Sequence, residues 1–171
     1  MDGDKFVVTD KIGRSIMEMM ETAGVPCQWD RDNNIITSKN LVRLPFDIAG
    51  NVVYLIFRLY ECGFTTEIAC AQFRLDPDHE YPVLKYLNWA NELGIPGNVM
   101  KLRNEDFLIT ERYTDCLDRK GSAPITEKMN MGFNLALQGY ARFVDGAILI
   151  NESEGNLQMA MDYASAKTSD R

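Results

Sequence analysis

Histidine is almost missing from the sequence, since His79 is the only one in the chain, and this limits the catalytic chemistry available. A Ser-His-Asp or Cys-His arrangement would have to use this residue. It lies in the acidic segment 76–80, which we expect to form a turn before a helix. We interpret it as a solvated loop histidine. The alternative is a general base whose pKa the flanking carboxylates raise, in a small-ligand-binding protein or a hydrolase-like enzyme.

Clustered metal ligands are also missing. The four cysteines are scattered along the chain without a C-x-x-C pair, at Cys27, Cys62, Cys70 and Cys116. Zinc sites need several cysteines or histidines close together, and the segment 76–80 lacks the glycine and the ligand spacing of a calcium loop. We therefore expect reduced, buried or half-buried thiols and no metal site.

Glycine-rich phosphate-binding loops are absent as well. The chain contains neither G-x-G-x-x-G nor G-x-x-x-x-G-K-[ST], so nothing in the sequence supports a nucleotide cofactor. Carboxylate pairs such as Glu105-Asp106 and Asp30/Asp32 lie in predicted turns. We interpret them as solvated, because acid–base catalysis needs two carboxyl groups in unlike environments that face one pocket. We expect a protein without catalytic residues or a cofactor.

Long apolar runs and an excess of basic residues are likewise absent. The longest apolar run, Val52 to Phe57, is far shorter than the roughly 20 residues that span a bilayer. The segment Met1 to Lys5 lacks the basic start and apolar stretch of a secretory signal, so we expect a cytoplasmic protein. The net charge of −7 disfavours nucleic acid and anionic membranes as partners.

Apolar residues at helical spacing predict a first helix from Thr9 to Ala23, with Thr9 or Asp10 as its N-cap. Gly24 and Pro26 are typical of a helix end. The strands that we predict next cover residues 27–30, 35–37, 51–60 and 67–75, and 41–46 is a candidate for a further short extended piece.

The second half begins with a predicted helix from Pro82 to Leu93. Its Asn88 and Asn91 lie one turn apart, and we expect them to bond the free backbone of a neighbouring strand or loop. A hairpin over 99–102 and 107–113 and a long helix from near Thr126 complete the order.

The order of elements predicts an α+β fold, an antiparallel sheet of about five to six strands with helices packed on it. The order is α-β-β-β(-β)-α-β-β-α, and the short links between consecutive strands favour antiparallel pairing. With 171 residues, of which 46% are apolar, we expect residues 1–150 to form one domain. Residues 151–171 are predicted to be a polar C-terminal tail or a short, loosely attached helix.

Four segments, in this order, resemble the YbjN-like family, which shares its fold with the class I type III secretion chaperones. They are Gly24-Val25-Pro26-Cys27, the helix Leu84 to Asn91, Gly97-Asn98-Val99, and Pro124-Ile125-Thr126-Glu127. The resemblance spans roughly residues 9 to 150. It implies a compact α+β fold, frequent dimerisation, protein binding in the chaperone branch and regulation in the YbjN-like branch. It supplies no catalytic residue.

The long last helix contains three glycines at intervals of seven, Gly132, Gly139 and Gly146, with Ala136 between them and Phe143 beside them. Each glycine inside a helix costs about 1 kcal/mol relative to alanine, so their shared face needs a reason. One reason is close packing on the sheet, and the other is a groove for a second helix from a dimer mate or a client. We expect an interface there.

Two aromatic residues of the middle helix, Tyr86 and Trp89, form either core packing or an exposed contact patch. We include them in the candidate protein interface. Together with the implied dimerisation, this predicts a non-enzymatic, chaperone-like or regulatory module that holds a partner protein as a homodimer.

Overall fold

The chain, whose apolar residues follow alternating and helical patterns, folds into a two-layer α+β structure, as predicted. A computed structural model describes residues 3–43, 52–104, 107–117 and 121–169. Within these ranges it contains a seven-stranded antiparallel sheet and four α-helices. The elements are α1 (Gly3–Thr22), β1 (Cys27–Asp30), β2 (Ile35–Ser38), β3 (Val42–Arg43), β4 (Val52–Tyr60), β5 (Gly63–Cys70), a 3₁₀ turn (Pro77–His79), α2 (Glu80–Leu93), β6 (Asn98–Arg103), β7 (Phe107–Asp115), α3 (Ile125–Glu152) and α4 (Leu157–Ser169).

The start of α1 differs from the prediction. The helix begins at Gly3 rather than at Thr9 or Asp10. The carboxylate of Asp10 does not cap a helix; it lies 2.6 Å from guanidinium nitrogens of Arg14 and Arg31. The predicted end is confirmed, because Gly24 follows the helix with φ +71°, a conformation that favours glycine.

The fifth strand was also predicted at the wrong place. The sequence indicated a strand over 67–75, but β5 runs over Gly63–Cys70. A two-residue turn joins it to β4, since Tyr60 pairs with Gly63 and Val53 with Cys70. The tight hairpin fixes the register from the turn outward, and β5 ends opposite the start of β4.

Two predicted segments fall partly or wholly outside the described residues. Of the extended piece predicted over 41–46, the structure describes 41–43 and places β3 at Val42–Arg43. The rest of that piece and the pair Glu105-Asp106 lie outside the described ranges.

The sheet has the order β1-β2-β4-β5-β7-β6, and β3 also pairs with β4. Its inner face packs on the helices: Phe57 of β4 contacts Phe133 of α3, with ring centroids 6.0 Å apart, and Asn98 of β6 donates to the Leu135 carbonyl of α3. In β4, every second side chain points to the inner face and is buried. These inward-pointing residues are Val53, Leu55, Phe57 and Leu59.

Helices α1, α2 and α3 form a layer over this inner face. α1 lies against β1, β4 and β5, α3 against β5, β6 and β7, and α2 against β6 and α3. The polar segment 151–171 contains α4, which packs on α2 and α3 with Ala160 and Ala164 fully buried. The helical layer therefore extends beyond residue 150.

The predicted contact with a neighbouring strand is confirmed for Asn91 but not for Asn88, whose side chain is exposed. The Asn91 side-chain oxygen accepts from the Met100 amide at 2.7 Å, and its side-chain nitrogen donates to the Met100 carbonyl at 2.9 Å. Met100 lies in β6, the last strand of the sheet order, so these backbone groups point away from β7. The Asn91 carboxamide thus acts as one residue of an eighth strand.

Replacing Asn91 by alanine removes both hydrogen bonds and leaves two backbone groups of Met100 without them. We expect the free energy of unfolding to fall by about 1–3 kcal/mol in urea denaturation. Asn88→Ala is the matched control, because Asn88 is exposed on the same helix, and we expect a change within about 0.5 kcal/mol. Equal losses in the two variants would contradict a special role for Asn91.

Candidate protein-interaction face

The glycine face of α3 is not an open groove, which corrects the expectation of a second helix lying there. A Cβ atom added at Gly132 would overlap Thr114 of β7, one at Gly139 would overlap Asn98 of β6, and one at Gly146 would overlap Tyr86 of α2. All three glycines are buried. The other explanation for the glycine spacing, close packing of α3 on the chain's own sheet, is confirmed by the structure. The close packing also includes α2.

The remaining candidate interface residues belong to the same interior. Tyr86 is fully buried and donates to the Phe143 carbonyl at 2.9 Å, and burial raises its pKa, so the hydroxyl stays protonated. The Trp89 ring lies 5.5 Å from Tyr86 and 6.0 Å from Phe143, between ring centroids. Ala136 and Phe143 are buried and Trp89 is half-buried. The structure brings these residues together, but as packing between α2, α3 and the sheet.

His79 joins its turn to the end of α3. Its Nδ1 lies 3.1 Å from the Asn151 carbonyl oxygen and 3.8 Å from Asp76, and 20% of its side chain is exposed. Asn151 in turn accepts from the Asp76 amide and donates to the Arg74 carbonyl. The histidine is therefore largely covered rather than solvated, and a carbonyl oxygen at Nδ1 makes that nitrogen a hydrogen-bond donor.

The opposite side of the sheet, which we call the outer face, carries the even-numbered residues of β1 and β4 and the odd-numbered residues of the other strands. No helix of the described ranges packs on it. Side chains such as Tyr54, Ile56 and Tyr60 of β4 are exposed or half-buried there, although those of the inner face are buried.

At the centre of the outer face lies a buried carboxylate, Glu67 of β5, which is only 1% exposed. One carboxylate oxygen accepts from Arg58 of β4 and the other from Arg103 of β6, each at 2.6 Å. Burial alone would raise the pKa of Glu67, but the hydrogen bonds from Arg103 and Arg58 outweigh it and lower the pKa. We call these three residues the Glu67 clasp. It joins three strands of the sheet through side chains.

The strand residues of the outer face carry no net charge. Four basic residues balance four acidic ones, namely Arg43, Arg58, Lys101 and Arg103 against Asp30, Glu67, Glu111 and Asp115. Lys101 pairs with Glu111 at 2.6 Å. Because the whole chain carries −7, the excess negative charge lies outside this face.

Three tyrosines stand around the clasp. Tyr54, Tyr60 and Tyr113 are 45%, 47% and 50% exposed, and the rings of Tyr60 and Tyr113 lie 6.2 Å apart. Tyrosine and arginine are enriched in protein interfaces, because they combine a large apolar area with polar groups. Half-exposed tyrosines around an internally paired polar centre are typical of a contact surface.

A second concave feature is a cleft of about 780 Å³ between α3 and α4. Its wall includes Ile148, Glu152, Met159 and Tyr163. Asp145 also lines it and forms an ion pair with Lys167 of α4. The size lies within the range of small-ligand pockets, roughly 300–1,000 Å³, but the cleft is open to the surface.

The clasp was missed in the sequence for two reasons. The prediction of a strand over 51–60 gave Arg58 no role, and the strand predicted from Glu67 placed the start of β5 four residues late. A signal was present, since Tyr54, Arg58 and Tyr60 alternate with four apolar residues that all lie on the inner face.

Comparisons with known proteins return no similar protein: no family model matches the chain, and neither does a curated protein or a solved structure. The resemblance to the YbjN-like family thus rests on the four segments quoted above. In the part of the chain that the structure describes, no helix is long and apolar enough to cross a bilayer. Within the same residues, no group of three or more His, Cys, Asp or Glu side chains is arranged to hold a metal ion.

Replacing Glu67 by glutamine keeps the shape of the clasp and removes its negative charge. Because Arg58 and Arg103 are 35% and 28% exposed, water will compensate them in part. We expect the free energy of unfolding near pH 7 to fall by about 1–3 kcal/mol. Glu111→Gln, which breaks the more exposed pair with Lys101, is the control and should cost less than about 1 kcal/mol.

The effect of Glu67→Gln depends on pH with a defined sign. A carboxylate whose pKa is lowered by folding stabilises the fold above its unfolded pKa of about 4.3. That contribution is lost as the pH falls through the folded pKa. The difference in the free energy of unfolding between wild type and Glu67→Gln, measured by urea denaturation, should therefore become smaller as the pH falls from about 5 to about 3. A difference that is the same at these two pH values would contradict an ionised clasp.

Proposed function

We propose that the chain is a non-enzymatic protein-binding module, chaperone-like or regulatory, which works in the cytoplasm as a homodimer and holds a partner protein. The observation that carries the proposal is the outer face, with its three half-exposed tyrosines around the Glu67 clasp. We place the protein contact on this face rather than on α3, whose glycine face is filled by Thr114, Asn98 and Tyr86.

Charge favours a second copy of the chain as the occupant of the outer face. Two chains of −7 repel each other, and the repulsion is smallest when the surfaces in contact carry no net charge. The outer face meets this condition, since its four basic and four acidic strand residues balance. A neutral face with both signs interspersed can also pair opposite charges across a two-fold axis.

The edges of the sheet are less suitable than its face. At one edge, Asn91 already bonds the outward amide and carbonyl of Met100 in β6. At the other edge, β1 has only four residues. Short or covered edge strands hinder the addition of another strand. The proposal therefore involves side-chain contacts across the face and not a continuous sheet.

A small-ligand-binding protein is the second candidate function, and the cleft between α3 and α4 is the observation that favours it. The cleft offers apolar walls and two carboxylates, Asp145 and Glu152, of which Asp145 is paired with Lys167. A compound that raises the melting temperature of the wild type but not of Tyr163→Ser would support this function.

The double variant Tyr54→Ser, Tyr60→Ser removes two aromatic side chains from the outer face without touching the buried core. If each tyrosine contributes more than about 1 kcal/mol to the free energy of dimerisation, the dissociation constant of the dimer should rise by at least about tenfold in the double variant. Sedimentation equilibrium over a range of concentrations measures it. Tyr81→Ser is the control, because Tyr81 is 68% exposed on α2 and should leave the dimer unchanged.

Two outcomes would contradict the proposal for this face. One is a dimer that tolerates the double variant as well as it tolerates Tyr81→Ser. The other is a wild-type chain that stays monomeric at every concentration and, in cross-linked extracts of its own cells, captures the same proteins with and without the two tyrosines. Circular dichroism should show that every variant keeps its fold.

A further inference from the structure

Two cysteines occupy opposite backbone positions just beyond the end of the ladder between β5 and β7. The pair Gly63 and Asp115 ends the ladder, and the next residues outward are Cys62 and Cys116. The Cys116 amide donates to the Cys62 carbonyl at 2.8 Å, which continues the antiparallel pairing by one step. Cα atoms of a hydrogen-bonded antiparallel pair lie about 5.5 Å apart. Disulfides occur at Cα distances of roughly 4.4–6.8 Å.

The two thiols differ in exposure. Residues directly opposite in an antiparallel pair direct their side chains to one side of the sheet, and the hydrogen bond from the Cys116 amide to the Cys62 carbonyl places these two residues opposite each other. Cys116 is buried, with its Sγ 4.0 Å from the Thr114 carbonyl oxygen, and Cys62 is half-buried. An accessible thiol next to a covered one is the arrangement of an attacking and a resolving cysteine.

The other two cysteines have no such neighbour and serve as internal controls. Cys27 of β1 is opposite Ser38, and Cys70 of β5 is opposite Val53. Both are buried free thiols, like Cys116. The placement opposite another cysteine is therefore particular to Cys62 and Cys116 among the four.

We propose that Cys62 and Cys116 are a thiol-modification site, which a low-molecular-weight disulfide converts into a reversible intramolecular disulfide. The Cys62 thiolate attacks one sulfur of the small disulfide, a mixed disulfide forms, and one small thiolate leaves and takes up a proton. The Cys116 thiolate then attacks the Cys62 sulfur, and the second small thiol leaves. The two cysteines are oxidised, and the small disulfide is reduced to two thiols.

The second step has a definite pH dependence. Burial raises the pKa of Cys116 to about 11, so at neutral pH only a small fraction is thiolate. Ring closure should thus become faster as the pH rises from neutral. Facing Cys116 are Lys128, which lowers its pKa, and Asp115, which raises it. The mixed disulfide on Cys62 is expected to accumulate transiently.

The site adjoins the outer face, although the inference does not depend on the proposed function. Cys62 directly precedes Gly63, the first residue of β5, and a Cβ at Gly63 would lie 2.8 Å from the Tyr113 hydroxyl oxygen. Tyr113 in turn contacts Tyr60. A disulfide between Cys62 and Cys116 would tie the ends of the two strands directly beside these tyrosines.

The test treats the reduced, full-length protein with oxidised glutathione, then blocks free thiols and maps the peptides by mass spectrometry. In the wild type, Cys62 should be linked to Cys116, the linked peptides should weigh two hydrogen atoms less than the two reduced, unblocked peptides together, and dithiothreitol should reverse the change. Cys116→Ser should stop at the mixed disulfide on Cys62. Cys62→Ser should form no internal link, and Cys70→Ser should behave like the wild type.

The inference is overturned if the folded wild type gives only the mixed disulfide on Cys62, no reaction, or links that include Cys27 or Cys70. The same treatment in concentrated urea provides a second comparison, because the preference for Cys62 with Cys116 should then disappear. Since the wild-type peptide map alone decides the pairing, a variant that fails to fold does not affect the result.

Discussion

The pairing of one buried carboxylate with two arginines shapes the outer side of the molecule. A lone charge at the position of Glu67 would be too costly to bury, so β5 can be central only if β4 and β6 deliver Arg58 and Arg103 to it. The hydrogen bonds join strands that are not all neighbours in the sheet. A hydrophobic residue at position 67 would be less costly to bury. The clasp, however, gives the outer face a polar centre, with tyrosines around it and no net charge on the strand residues.

The helical side follows a different constraint, which is the close approach of α3. Gly132, Gly139 and Gly146 each leave room for a side chain of another element, so the helix propensity lost at the glycines is offset by tight packing. The buried Tyr86 hydroxyl then ties α2 to the Phe143 carbonyl. With its helices packed on one side, the sheet leaves its outer face uncovered by the described helices.

Local patterns in the sequence predict the fold class, the end of α1 at Gly24, helices α2 and α3, and the contact made by Asn91, because spacing and capping act over a few residues. The start of β5 was wrong, since its register comes from the turn after Tyr60 and not from its own apolar pattern. The Glu67 clasp joins residues 9 and 36 positions apart, so no short-range pattern contains it. The spacing of the glycines can be seen in the sequence, but which side chains fill the space beside them depends on tertiary packing.

Hydroxyl-radical footprinting of the tyrosines at dilute and concentrated protein tests the role of the outer face most directly, because it needs no substitution. If two copies meet through this face, Tyr54, Tyr60 and Tyr113 should become protected as the dimer forms, while the exposed tyrosines of the helical layer, Tyr81 and Tyr163, should keep their reactivity. Protection of Tyr81 or Tyr163 with unchanged reactivity at the three outer tyrosines would contradict the account and place the contact on the helices.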